Sequence, residues 1–200
     1  MATEVIREKS AVIPSTRDRA VCSVLGGQLA GLVMAVVMML VYALFLGQSI
    51  FFPVQVIASL LLGHDALTQA TPGVIAFGVL LHQLGPSLGW SLVFFGLLML
   101  VKERVDLNRA MMIGFLVGLA SIIVDVYLIG PGLQRITAGE NLWLQNVPRF
   151  WDWAAHMVYG LSLGFFFWAV RSRIESRRGT ITRERIPKAA HADEHGVTRD

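Results

Sequence analysis

The sequence predicts an all-α integral membrane protein, a four-helix bundle with a short interfacial or re-entrant helix between spans one and two. Three observations predict it. Apolar residue types make up 54% of the 200 residues and charged types only 16%, against roughly 25% charged in soluble domains. The apolar residues fall into four long blocks instead of alternating. Basic residues cluster at the ends of those blocks, as topology signals do.

A helix needs about 20 apolar residues to cross about 30 Å of hydrocarbon. Blocks of that length lie at about 21–46, 74–101, 110–129 and 150–170. In lipid each must satisfy its own backbone, so each is predicted helical; continuous apolar runs are not barrel strands. A shorter stretch at about 53–63, opened by Phe51, Phe52 and Pro53, is too short to span and suits an interfacial or re-entrant helix. Proline is tolerated in its first turn. Gly85–Pro86 is expected to kink span two.

Charge orients the set. Arg7, Lys9, Arg17 and Arg19 precede span one, and Lys102, Arg104 and Arg109 separate spans two and three. Eight more basic residues follow span four, starting at Arg171 and Arg173. With four crossings, 15 of the 17 basic residues share one face and only Arg135 and Arg149 lie on the other. The positive-inside rule makes the common face cytoplasmic. A bacterial-type inner membrane with both ends in the cytoplasm is therefore expected. No cleaved signal peptide is expected in residues 1–20, and the basic tail, 171–200, is expected to be largely disordered. Trp143, Trp151 and Trp153 are expected to mark the outer interface and Trp168 the inner one. Cys22 is the single cysteine, which excludes a disulfide framework.

Lipid tails are as apolar as leucine, so close approach of backbones drives helix association. The Gly-x-x-x-Gly spacing that permits it occurs at Gly27/Gly31, Gly114/Gly118 and Gly160/Gly164. A tight internal bundle is expected, with a homo-oligomer contact as the competing use. The methionines of spans one and three, Met34 and Met38 among them, read as adaptable packing.

Ionisable groups within a span are expensive and mark functional sites by default. Counting 1.5 Å per residue puts His82, Asp125 and His156 at about 12, 7 and 9 Å from the outer surface. Asp152, His156 and Tyr159 follow i, i+4, i+7 spacing and share a face. There the carboxylate can hold the imidazole N–H. The candidate polar site is thus His82, Asp125, Asp152, His156 and Tyr159. Its plain alternative is structural, hydrogen bonds that fix helix register, with Asp125 paired to His82 or His156. No metal is assigned, and no cofactor is predicted; the one cofactor considered is haem b, with His82 and His156 as ligands across the bundle diagonal. His64 and Asp65 read as solvated or helix-ending residues, and His191 and His195 as incidental. The motifs of soluble enzymes, phosphate loops and dinucleotide folds are absent.

These features together are familiar. Gly26-Gly27-x-x-Ala30-Gly31 opens span one, a Phe-Pro stretch follows it, and Leu81–His82 comes early in span two. Asp125-x-Tyr127 leads to Pro131, and span four carries His156-x-x-Tyr159-Gly160. Over roughly residues 20–172 the layout resembles small bacterial four-span inner-membrane proteins, including the YagU-like group. It departs from that group in lacking a proline-rich loop after span one and an acidic residue near the end of span four. The resemblance implies a topology and no reaction.

The expected function is non-enzymatic: a polytopic inner-membrane protein of accessory or structural role. Its partners would be the lipid bilayer and a membrane-protein partner or a second copy, with no nucleic acid. The alternative is a small transporter or proton/ion conduit built on the outer-third His/Asp site. A further alternative is the haem protein.

Overall fold

The structure is a computed structural model and describes residues 15–101 and 103–193. Arg7, Lys9, Lys102, His195 and Arg199 lie outside the described residues. Among those described there is no strand, and four helices are long and apolar enough to cross a membrane: Thr16–Phe45, Pro72–Leu100, Leu107–Thr137 and Arg149–Arg178. The chain is a multi-pass membrane protein. The first three spans start at side-chain caps. Ser15, Thr71 and Asp106 accept from the backbone N–H of Asp18, Val74 and Arg109 at 3.1, 3.3 and 2.8 Å, which satisfies donors that a helix start leaves open.

The pattern of burial is inverted relative to a soluble protein. On span one Leu25, Leu29, Leu32, Val36 and Leu40 face outward at helical spacing, while Cys22, Ser23, Gly26, Gly27, Ala30 and Gly31 face inward. Large apolar side chains meet lipid at no cost, and small ones let backbones approach. The spans form a ring in which each sequence neighbour is a spatial neighbour and span one also packs along span four. Spans two and four, and one and three, lie across the diagonals.

The glycines set these seams. A Cβ on Gly26 would lie 2.8 Å from the backbone nitrogen of Phe167, and one on Gly164 would lie 2.6 Å from Met111 Cα. Gly114 and Gly118 face Gly160, so spans three and four meet glycine to glycine. Gly27 and Gly31 face Ser91 and Ser87 of span two.

At the end where the N-terminal segment lies, arginines tie the bundle. Arg19 donates to the carbonyls of Leu98 and Val101 at 2.6 and 3.0 Å. Arg171 donates to the Val105 carbonyl at 2.5 Å and stacks over Phe167. Arg178 grips both oxygens of Asp18 at 2.7 and 2.9 Å. The last helix runs Arg149–Asp193, past the end of its apolar block. Its first polar turns are held by Arg171–Glu175, Arg104–Glu175 and the Asp18 pair.

At the other end short helices cap the bundle. Phe52–Leu62 buries Pro53, Val54, Val56, Ala58 and Ser59 against spans two and three. Gln55 pins the following turn by donating to the Ala66 carbonyl at 2.9 Å. Gln134 donates to Ser59 at 3.2 Å and accepts from the Trp143 backbone at 2.8 Å. Tyr42 reaches the Asn146 carbonyl at 2.7 Å. Span three also runs further than the sequence predicts, to Thr137. Pro131 falls in the first turn of its last α-helical stretch, Gly130–Thr137, where a missing N–H breaks little.

Candidate functional site: an intramembrane cavity

Two spans change their winding at the capped end. Gln83–Ser87 in span two and Asp125–Ile129 in span three are π-helical turns, a local widening that recurs at functional sites. In span two the cause is Pro86, which has no N–H for the ladder and collides with the preceding turn. The expected kink is answered by this widening. It loosens carbonyls that other groups then occupy. Gln28 donates to the Gln83 carbonyl at 3.1 Å. Ser91 and Tyr159 both donate to the Ser87 carbonyl, at 2.5 and 3.1 Å. The Gln83 amide and the Ser87 hydroxyl themselves are buried without a hydrogen bond among the described residues.

Both π turns border a cavity of about 550 Å³. Its wall draws on all four spans and on the Phe52–Leu62 helix, and it is mostly aliphatic, with Met34, Met38, Ile57, Leu81 and Val93 among its residues. Its polar wall contains His82, Asp125, Asp152, His156 and Tyr159 together. Gly85 and Gly89 also border it, and a Cβ on either would meet nothing within 4 Å.

Each polar residue has a definite setting. Asp125 accepts from Trp90 Nε1 at 2.8 Å, a bond that joins spans two and three. Asp152 accepts from Trp143 Nε1 at 2.9 Å. His156 Nδ1 lies 2.8 Å from the backbone oxygen of Asp152, one turn earlier, and 3.4 Å from its carboxylate. A carbonyl can only accept, so Nδ1 carries the proton and a neutral ring leaves Nε2 as a lone pair. The imidazole is thus held chiefly by the backbone carbonyl, with the carboxylate more distant. Tyr159 turns its hydroxyl to span two, as above. His82 is 7% exposed and makes no hydrogen bond among the described residues.

The sequence reading did not find the two tryptophan donors. Trp143, expected at the outer interface, gives its indole N–H to Asp152 near the start of span four. Trp90 stands in the middle of its span, far from either interface where tryptophan normally sits, and that position was the available signal. His64 pairs with Glu140 at 2.7 Å at the surface of the cap, and Tyr127 is an exposed acceptor for Trp153 at 3.4 Å.

Among the described residues no group of three or more His, Cys, Asp or Glu side chains could hold a metal ion. The lining contains two carboxylates and two imidazoles, and neither lysine nor arginine. A carboxylate in such surroundings needs a proton or a cation close by, because burying it alone costs several kcal/mol or more. No protein-family model, no curated protein and no solved structure matches this chain.

Proposed function

We propose that the chain is a non-enzymatic protein of a bacterial-type inner membrane that holds a small, largely apolar molecule in its intramembrane cavity. One observation carries this reading: a largely aliphatic chamber of about 550 Å³ lined by a few polar groups from spans two, three and four, the usual composition of a small-molecule site. A binding chamber of this kind suits an accessory role to other membrane proteins. The orientation proposed has both ends in the cytoplasm. It is supported by the basic residues at the arginine-tied end, and the YagU-like layout agrees with it. A reporter fused after Asp200 that proved periplasmic would reverse it.

A conduit would use the same wall, but it needs a path to both faces. Below the cavity the bundle is filled by Phe94, Leu98, Leu163 and Phe167, all fully buried or nearly so, and tied by Arg19 and Arg171. That packing favours binding over passage. Haem b is supported less well. It carries two propionates, and a wall with two aspartates and no lysine or arginine offers them no partner.

The test is photolabelling with a diazirine-bearing long-chain alcohol in nanodiscs. Peptides from the cavity wall, those holding Val93 and Met38, should be labelled, and Gly89→Leu should abolish that label while leaving the fold intact. Labelling confined to outward residues such as Leu44 and Leu128, and unchanged by the variant, would refute a binding chamber.

A further inference from the structure

Resting on that reading, we propose that the occupant is a lipophilic amine, bound as its ammonium with the charge between Asp125 and Asp152 and the chain along the aliphatic wall. The argument begins with what the wall offers. Each carboxylate receives an indole N–H, from Trp90 or Trp143, and can accept further bonds through its second oxygen. The His156 ring, donating from Nδ1 to a carbonyl, presents a second nitrogen that accepts. The wall is therefore rich in acceptors, and among the described residues its two carboxylates have no lysine or arginine in the lining to balance them.

A second observation points the same way. His82 is 93% buried, borders the cavity and has no hydrogen-bond partner among the described residues. A ring that borders the cavity and has no protein partner is open to a ligand N–H. The Trp90, Trp143 and Tyr159 rings border the same space, and aromatic faces attract cations. An anionic ligand would meet two carboxylates, and a neutral alcohol would satisfy one acceptor and leave the charge unanswered. A diacyl phospholipid would bring a phosphate to a wall of carboxylates, which favours a free amine over a lipid headgroup as the source.

The experiment is competition against the photolabel in phosphatidylcholine nanodiscs with three probes of one chain length: dodecylammonium, dodecanol and dodecanoate. The amine should displace the label at about tenfold lower concentration than the alcohol or better, as a charge-assisted bond implies. Dodecanoate should compete worst. Asp125→Asn should erase the advantage of the amine and leave dodecanol unchanged. Should that variant fail to fold, Asp152→Asn and the wild-type ranking of the three probes decide the matter. If alcohol and amine compete equally, or the acid competes best, the ammonium assignment is wrong and the binding chamber stands. If no cavity peptide is labelled at all, the chamber itself fails. Repeating the assay in phosphatidylethanolamine nanodiscs separates the sources: loss of the label there keeps the ammonium chemistry and moves it to a lipid headgroup.

Discussion

The two ends of the bundle are built on opposite principles from the same kinds of residue. At the arginine-tied end, backbones touch at Gly26, Gly114, Gly160 and Gly164, and the space between them is filled by Phe94, Leu98, Leu163 and Phe167. At the capped end, Gly85 and Gly89 touch nothing, and the helices widen into π turns around a chamber. Close approach is not confined to one end, since a Cβ on Gly78 would run into the Val54 backbone; what is particular to the chamber is that Gly85 and Gly89 border open volume beside Pro86, whereas Gly26, Gly114, Gly160 and Gly164 each lie against a neighbouring helix backbone. Rigidity is concentrated at the end that sets the topology, and the adaptable volume lies where the polar groups are.

The sharpest way to break this contrast is to give both kinds of glycine the same side chain. Gly114→Leu should be the most damaging change in the protein. Its side chain would run into the Gly160 backbone, which cannot move aside as a flexible side chain would. A loss of about 3 kcal/mol or more is expected, at the top of the range for overpacking. Gly89→Leu should cost less than about 0.5 kcal/mol, like a change away from any packed feature. Unfolding midpoints in mixed detergent micelles measure both. Equal losses would mean that the two ends do not differ as described.

A step down in size are the arginine ties. Arg19→Met removes two bonds to the Leu98 and Val101 carbonyls at the end of span two, so a loss of about 1.5–3 kcal/mol is expected. Arg19→Lys keeps the charge but loses the planar fork and should fall between. The same measurement on both variants separates geometry from charge, and a lysine variant as stable as wild type would leave only the charge.

These ties also show what could be read from sequence. The four spans were legible, since hydropathy over about 20 residues is a sum that no single contact overturns. Their starts were legible only roughly: the helices begin at Thr16, Pro72 and Leu107, ahead of the apolar blocks, because the polar caps Ser15, Thr71 and Asp106 add turns that hydropathy does not register. Depth brought His82, Asp125 and His156 to one level and helical spacing added Asp152 and Tyr159, and all five line the cavity. Which partner each would choose did not follow: Asp125 took Trp90, and His156 took a backbone carbonyl ahead of the carboxylate. Nor could spacing say that Gly114 would face Gly160 while Gly27 faces a serine. Such choices depend on rotation about helix axes, a property of the assembled bundle. The π turn at Asp125–Ile129 had no proline to announce it. The partners of Glu175 and Arg178 past the apolar block, Arg104 and Asp18, were not legible because they are distant in sequence.

At the capped end the effects should be smaller. Trp90→Phe keeps the ring and removes the one hydrogen bond from span two to Asp125. Interhelical bonds in membranes contribute about 0.6–2 kcal/mol, so a modest loss is expected. It should be concentrated locally: amide exchange in 125–129 should speed up, while exchange in the glycine-packed 110–118 stays as in wild type. Uniform acceleration along span three would show that the two ends do not open independently.

The smallest effect belongs to the outer surface of the cap. Gln145 donates to Glu140 at 2.6 Å and His64 lies 2.7 Å from it, on a fully exposed site. The Gln145 hydrogen bond, and then His64, hold the Glu140 carboxyl below its ordinary value of 4.5. A carboxyl lowered by folding stabilises the folded state fully above its unfolded value, and that contribution fades as pH falls through the lowered one. Wild type should therefore melt slightly above Glu140→Gln at neutral pH, and the gap should close in acid below about 4.5. Exposure and salt screen such a pair, so the gap should also shrink when salt is raised at neutral pH. A gap that persists in acid would assign the stability to packing of the side chain, and would make the cap a more rigid lid over the chamber than its surface charges imply.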